Sequence, residues 1–194
     1  MWRERLADPQ PDTLAERSVS ALLSASALSD LELPRLLDES LRGVAMERRF
    51  DRPRPWAAYE ELLGLKSAPT MQVFDALMAP RELREIRDEH ARAFAISAQL
   101  GDDCRDVLRD LARGRCFVTR EELGTADLDV FARSHAFAAG RLAQCLDFLH
   151  RADQAAKRFG SRAARERASR LHALWEGALR SGQVRPTDTH LTFS

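Results

Sequence analysis

The stretch Ala91–Leu123, ARAFAISAQLGDDCRDVLRDLARGRCFVTREEL, has the pattern of one long helix that runs into a loop. Its first half is almost uncharged, and its second half carries the acidic row Asp102, Asp106 and Asp110. Because an α-helix has about 3.6 residues per turn, this spacing places the three carboxylates on one face. Gln99 precedes them on the same face. The stretch therefore predicts a helix with a buried half and an acidic half.

The acidic row has two interpretations. Like charges four residues apart destabilise a helix by about 0.2–0.5 kcal/mol per pair, and a bound cation would remove that repulsion. Carboxylate oxygens suit Mg²⁺. The alternative is a solvated acidic face beside arginines such as Arg105. The almost uncharged flank favours a metal site at the mouth of an apolar slot, where Ala95 and Ala98 leave space beside the helix.

The chain as a whole predicts an all-α fold of seven or so helices, because alternating strand patterns are not found. A single domain is expected over residues 1–183, followed by a tail at 184–194. A pocket between the helices is the expected ligand site. The predicted helices cover 13–29, a short segment from 30, 39–49, 56–79 with Pro69 inside, 81–113, 126–159 and 163–180.

Composition excludes several classes of protein. The charges of thirty basic and thirty acidic residues cancel, so the net charge gives no reason to expect nucleic-acid binding. The apolar runs are shorter than the ~20 residues that a membrane span needs, so at most a peripheral membrane contact is expected. Three cysteines without a CxxC pair predict reduced thiols and a cytoplasmic protein.

Other chemistry is poorly supported by the sequence. Asp8 and Asp12 have DxxxD spacing, but two intervening prolines prevent the helix that would align them. The five histidines lack a metal-ligand spacing, although His90 could line the slot. The arginine-rich segment 48–55 is interpreted as a solvated loop, with contact to a diphosphate as the alternative.

The acidic row and its flanks resemble the second aspartate-rich segment of the squalene/phytoene synthase family. The matching residues are Gln99-Leu100, Asp102, Arg105-Asp106, Asp110, Gly114-Arg115, Phe117 and Glu122-Leu123. A weaker likeness extends to 43–62 and to Lys66–Met71, which stands where the family has a run of small residues. The resemblance implies an isoprenoid-synthase-like helical bundle that joins two isoprenyl diphosphates with Mg²⁺ as cofactor.

By this resemblance, Asp102, Asp106 and Asp110 are expected to hold Mg²⁺, and Asp106, Asp110 and Arg105 to be catalytic. The expected substrate-binding residues are Gln99, Arg115, Phe117, Ala95, Ala98 and Phe94. Ionisation of an allylic diphosphate separates charge. Metal cations must therefore neutralise the leaving group, and apolar walls must keep water from the carbocation.

The chain also departs from the family pattern. Asp102 stands at an asparagine, Phe117 at a tyrosine, and Pro69 within the usual small-residue run. The family's first aspartate motif is not found, so the likeness covers only the part of the family that follows it.

These departures predict a prenyltransferase-like subunit of a split enzyme that needs a protein partner, as a heteromer or a homodimer. Without the preceding helices, an apolar slot that includes Phe94, Ile96, Val73 and Phe74 is expected to be partly open to water. One alternative is a divergent enzyme acting on a smaller or different diphosphate. Another is a non-catalytic relative that binds a lipid or helps to assemble another protein.

Overall fold

The computed structural model describes residues 32–181, and the prediction of an all-α chain is confirmed over that range. The helices are α1 (Glu32–Glu47), α2 (Trp56–Met78), α3 (Arg84–Ala112), α4 (Arg120–Leu123), α5 (Leu128–Ala132), α6 (His135–Lys157) and α7 (Arg162–Arg180). The predicted helix over 13–29, the Asp8–Asp12 spacing and the tail at 184–194 lie outside the described residues.

Helix α3 is the centre of the bundle. It packs against α2 on one side and α6 on the other, while α1 packs on α2 and α7 on α6. Its apolar half is buried with residues of α2 and α6, including Leu62, Leu63, Ile96, Leu100 and Phe148. The acidic half of α3 therefore extends from a packed core.

The two helices α1 and α2 approach each other at their backbones. A Cβ atom at Gly43 would lie 2.8 Å from the backbone nitrogen of Lys66, a distance that real Cβ atoms essentially never show. Glycine is therefore required at this crossing. The close approach brings Glu47, at the end of α1, beside Lys66.

The predicted helix over 126–159 is wrong in one respect, because the structure breaks it into α5 and α6. Asp127 caps α5 through its carboxylate, which accepts a hydrogen bond from the Val130 backbone N–H at 3.1 Å. Ser134 caps α6 in the same way, accepting from Phe137 at 3.1 Å. Each cap satisfies a free backbone donor and starts a new helix, which apolar periodicity alone does not reveal.

Helix α7 docks as expected through Leu171, Trp175 and Leu179, which pack on the main core. The Trp175 indole N–H also donates to the Ser97 hydroxyl on α3 at 2.9 Å. Of the residues expected to line a partly open slot, Phe94 and Ile96 are buried, whereas Val73 is partly exposed and Phe74 is 39% exposed. The described helices include none that is long and apolar enough to cross a membrane.

Candidate functional site

The acidic row of α3 does not lie evenly on one surface. The side chain of Asp102 is 52% exposed, that of Asp106 is 18% exposed, and Asp110 as a residue is only 9% exposed. Four residues turn a helix by about 400°, so each step moves the side chain by about 40° around the axis. The row therefore runs from solvent at Asp102 into the protein at Asp110.

Two arginines of the same helix neutralise the outer part of the row. Arg105 Nη2 lies 2.9 Å from Asp102 Oδ1, and its Nε lies 3.4 Å from Asp106 Oδ1. Arg109 makes a second, shorter contact to Asp106. Both arginine side chains are more than two-fifths exposed, and exposed pairs of this kind contribute about 0–1 kcal/mol. A metal cation could displace the two arginines from these carboxylates at little cost in free energy.

Asp110 differs from its neighbours on α3. Asp110 is only 9% exposed as a residue, and no hydrogen bond or ion pair of its carboxylate is found among residues 32–181. Burial raises the pKa of Asp110, and the negative charge of Asp106 raises it further. Arg109, Arg115 and Lys66 oppose that shift from a distance. A cation beside Asp110 and Asp106 would stabilise both carboxylates.

The three-carboxylate metal site expected from the sequence is not formed. Within the described part of the chain, no group of three or more His, Cys, Asp or Glu side chains could hold a metal ion. Asp102 and Asp110 are eight residues apart, which is about 12 Å along the helix axis, so one ion cannot contact both. Asp106 and Asp110 are one turn apart. They fit Mg²⁺, which takes one or two carboxylates and completes its shell with phosphate oxygens and water.

Cations from neighbouring elements surround the inner end of the row. Gly114 adopts φ 73°, which turns the chain out of α3. Arg115 follows, and its Nη1 lies 3.0 Å from Glu47 Oε1. Lys66 Nζ lies 3.3 Å from Glu47 Oε2, and 5.8 Å from the centroid of the Phe117 ring. Sequence reasoning predicted Arg115 but missed Lys66, whose charge in the otherwise uncharged segment Lys66–Met71 was the available signal.

Gln99 lies about two turns before Asp106 on α3 and joins α3 to α2. Its amide oxygen accepts from the Ser67 hydroxyl at 3.0 Å, and its amide nitrogen donates to Asp103 Oδ1 at 2.8 Å. Asp103 also accepts from the Tyr59 hydroxyl at 2.6 Å. Burial raises the pKa of Asp103, and the two hydrogen bonds offset part of this increase. The resulting pKa is about 6. Sequence reasoning missed Asp103, although its position four residues after Gln99 indicates the same face.

A buried arginine fixes the loop that carries the site residues Arg115 and Phe117. Arg141 of α6 is 1% exposed, donates to the Phe117 carbonyl oxygen, and has its Nε 2.9 Å from Glu122 Oε1. Its guanidinium also lies 4.7 Å from the centre of the Tyr59 ring. Glu122 completes a capping box with Thr119 at the start of α4. Four elements are thereby tied together behind the acidic row.

The structure separates the remaining expected substrate contacts from the acidic row. Phe117 is buried and stacks on Tyr59 with 6.1 Å between ring centroids, so it belongs to the core. Phe94 stacks on His90 and His172. Ala95 is buried, and Ala98 is partly exposed. The structure thus brings Asp106, Asp110 and Arg115 near one another. Gln99 contacts Ser67 and Asp103 instead, and Asp102 shares Arg105 with Asp106 at the exposed end of the row.

Comparison with known proteins gives one informative likeness. No family model matches the chain, and no curated protein matches it. Among solved structures, squalene synthase HpnC from Alicyclobacillus acidocaldarius superimposes with a TM-score of 0.73. The chain has the helical fold of a squalene synthase. The match covers 95% of this chain and 72% of that one at 16% identity, which establishes the fold.

A second polar cluster of this squalene synthase-like fold lies on the other side of α3. His90 Nδ1 is 2.5 Å from Asp75 Oδ2, and His90 Nε2 is 2.9 Å from His172 Nε2. His172 Nδ1 is 3.8 Å from Asp153. The cluster links α2, α3, α6 and α7, and it lies beside Phe94, away from the acidic row.

This histidine pair predicts acid-sensitive stability. Burial, and then the charge of His90, lowers the pKa of His172 to about 4. An unfolded histidine titrates near 6.5, so below that pH the unfolded chain binds a proton that the folded chain excludes. The free energy of unfolding should therefore fall by up to about 1.4 kcal/mol per pH unit between pH 6.5 and 4. Urea unfolding at several pH values across this range measures the fall in the free energy of unfolding. The His172→Gln variant should show a smaller slope, and an equal slope would contradict the assignment.

Proposed function

We propose that this chain binds an isoprenyl diphosphate through Mg²⁺ held by Asp106 and Asp110, and takes part in prenyl transfer or condensation as part of a split enzyme. The observation that carries the proposal is Asp110, which is 9% exposed as a residue, lies next to the charge of Asp106, and makes no hydrogen bond or ion pair with the described residues. A squalene synthase shares the fold at low identity, which supports the same class of ligand.

The residues around the pair suit a diphosphate. Arg115 and Lys66 both lie within 3.3 Å of Glu47, which holds their charged ends near the inner end of the acidic row. Either cation can donate to a phosphate oxygen, Arg115 in a bidentate manner. With a cation bound at Asp106, Arg105 and Arg109 would be free to donate to phosphate oxygens. Mg²⁺, when bound, supplies the positive charge that neutralises the departing diphosphate.

A protein partner remains part of the proposal. Leu41 and Val44 on α1 are 65% and 52% exposed, and exposed apolar side chains on one helix favour a contact surface. We expect the isolated chain to bind an isoprenyl diphosphate without consuming it. Product formation can be followed while light scattering reports the mass. Turnover by a monomer would contradict the need for a partner.

A second candidate function is non-catalytic binding of a lipid, or assistance in the assembly of another protein. The arginines that already neutralise Asp102 and Asp106 favour it, because they stabilise the row without a metal ion. Binding of dimethylallyl or farnesyl diphosphate, measured by calorimetry with Mg²⁺ and again with EDTA, separates the two. Metal-dependent binding is expected here, and metal-independent binding or none would favour the second candidate.

A further inference from the structure

The path of a prenyl tail from the proposed site is defined by the surfaces of α2 and α3 that face each other. This inference rests on the proposed function, because it starts from a diphosphate at Asp106 and Asp110. We take the tail to run from there along α3 towards Gln99 and Ala95, because at the other end the chain turns out of α3 at Gly114.

The Ser67–Gln99 hydrogen bond crosses this path. The two side chains meet at 3.0 Å and join α2 directly to α3. Gln99 is seven residues from Asp106, or about 10 Å along the helix, which leaves room for a short group only. A longer tail would separate the two polar groups and leave them without partners in an apolar surrounding, which is unfavourable.

Charged side chains lie along the same path, between Asp110 and the Ser67–Gln99 hydrogen bond. The Lys66 ammonium lies between Glu47 and the Phe117 ring, and its charge reaches both Asp103 and Asp110. An apolar tail laid beside Lys66 would strip water from this ammonium and from Glu47. Removal of water from charged groups is unfavourable in proteins, so an apolar tail beside Lys66 is disfavoured.

Beyond the Ser67–Gln99 hydrogen bond, α2 and α3 are closely packed. Ala68 of α2 and Ala95 of α3 are each 5% exposed, and Leu63, Ile96 and Leu100 are exposed by 1% or less. A described cavity lies elsewhere, beside Phe74 and His90, and its volume of about 10 Å³ suits one water molecule. A long tail would therefore have to open the core.

We propose that Lys66, Ser67 and Gln99 restrict this site to short-chain allylic diphosphates, such as dimethylallyl diphosphate, and exclude the long tail of farnesyl diphosphate. The three residues set the length of the ligand, while Asp106 and Asp110 bind its head.

Calorimetric titration of the full chain with dimethylallyl and farnesyl diphosphate in Mg²⁺ tests this. Each buried methylene raises affinity by about fourfold, so an apolar slot for ten additional carbon atoms would favour farnesyl diphosphate by more than about 1,000-fold. The restricted site predicts farnesyl binding no tighter than that of dimethylallyl diphosphate by more than about tenfold. A preference above 100-fold would overturn the inference and leave the proposed function intact. Binding of neither ligand would overturn both.

The double variant Ser67→Ala/Gln99→Ala removes the bridge. Its ratio of farnesyl to dimethylallyl affinity is expected to rise at least about tenfold above that of the parent. Gln154→Ala, which truncates an exposed amide on α6, is the control and should leave the ratio unchanged. An unchanged ratio in the folded double variant would contradict a barrier at these residues.

Discussion

Replacement of Arg141 by methionine is expected to lower the free energy of unfolding by about 3–5 kcal/mol, the cost of breaking a buried ion pair from one side. The guanidinium is 1% exposed, and its loss leaves Glu122 without its cation and the Phe117 carbonyl oxygen without its donor. Methionine retains much of the volume, so the loss reports charge and hydrogen bonding more than a cavity. Chemical denaturation with circular dichroism measures the change.

Two further variants test whether loss of the buried ion pair causes the lower stability of Arg141→Met. Arg151→Met removes an exposed arginine from the same helix, where it pairs with Asp147, and should change stability by less than about 1 kcal/mol. Glu122→Gln, added to Arg141→Met, removes the uncompensated carboxylate and should recover part of the loss. Equal stability of the Arg141→Met and Arg151→Met variants would show that the buried network does not hold the loop.

Helix positions were predictable where apolar periodicity is long and uninterrupted. The sequence indicated helices over 56–79 and 163–180, and the structure has them at Trp56–Met78 and Arg162–Arg180. Pro69 lies inside α2 as predicted. The break between α5 and α6 was missed because Asp127 and Ser134 act through single capping hydrogen bonds, a signal that lies outside the hydrophobic pattern.

The site was predictable only in part, for geometric reasons. Spacing of four residues selected Asp106 and Asp110, which the proposed site keeps, together with Asp102, because spacing alone ignores the drift of about 40° per step that turns Asp102 to solvent. Contacts between elements distant in sequence cannot be inferred from spacing. Lys66 with Glu47 and Tyr59 with Asp103 are examples, which only the packing of α1 on α2 and of α2 on α3 reveals.

The largest effect on ligand binding is expected from Asp110→Asn. Asparagine keeps the size of the side chain but removes the negative charge that faces the bound cation. Affinity for the Mg²⁺–diphosphate complex should fall by about 100-fold or more, equivalent to about 2.7 kcal/mol. Asp106→Asn should show a loss of similar size, because it removes the other carboxylate of the pair.

Asp102→Asn is the matched control for both changes. It removes the same charge from the same helix, but at a side chain that is 52% exposed and paired with Arg105. Its affinity for the ligand should stay within about threefold of the parent, because exposed charges interact weakly across water. Circular dichroism verifies that each variant retains the fold.

The most direct test is calorimetric titration of dimethylallyl diphosphate in Mg²⁺ into the parent chain, Asp110→Asn and Asp102→Asn under the same conditions. The two-carboxylate site predicts metal-dependent binding by the parent, nearly the same binding by Asp102→Asn, and a loss of about 100-fold in Asp110→Asn. Equal affinity in all three proteins, or binding that persists in EDTA, would contradict it.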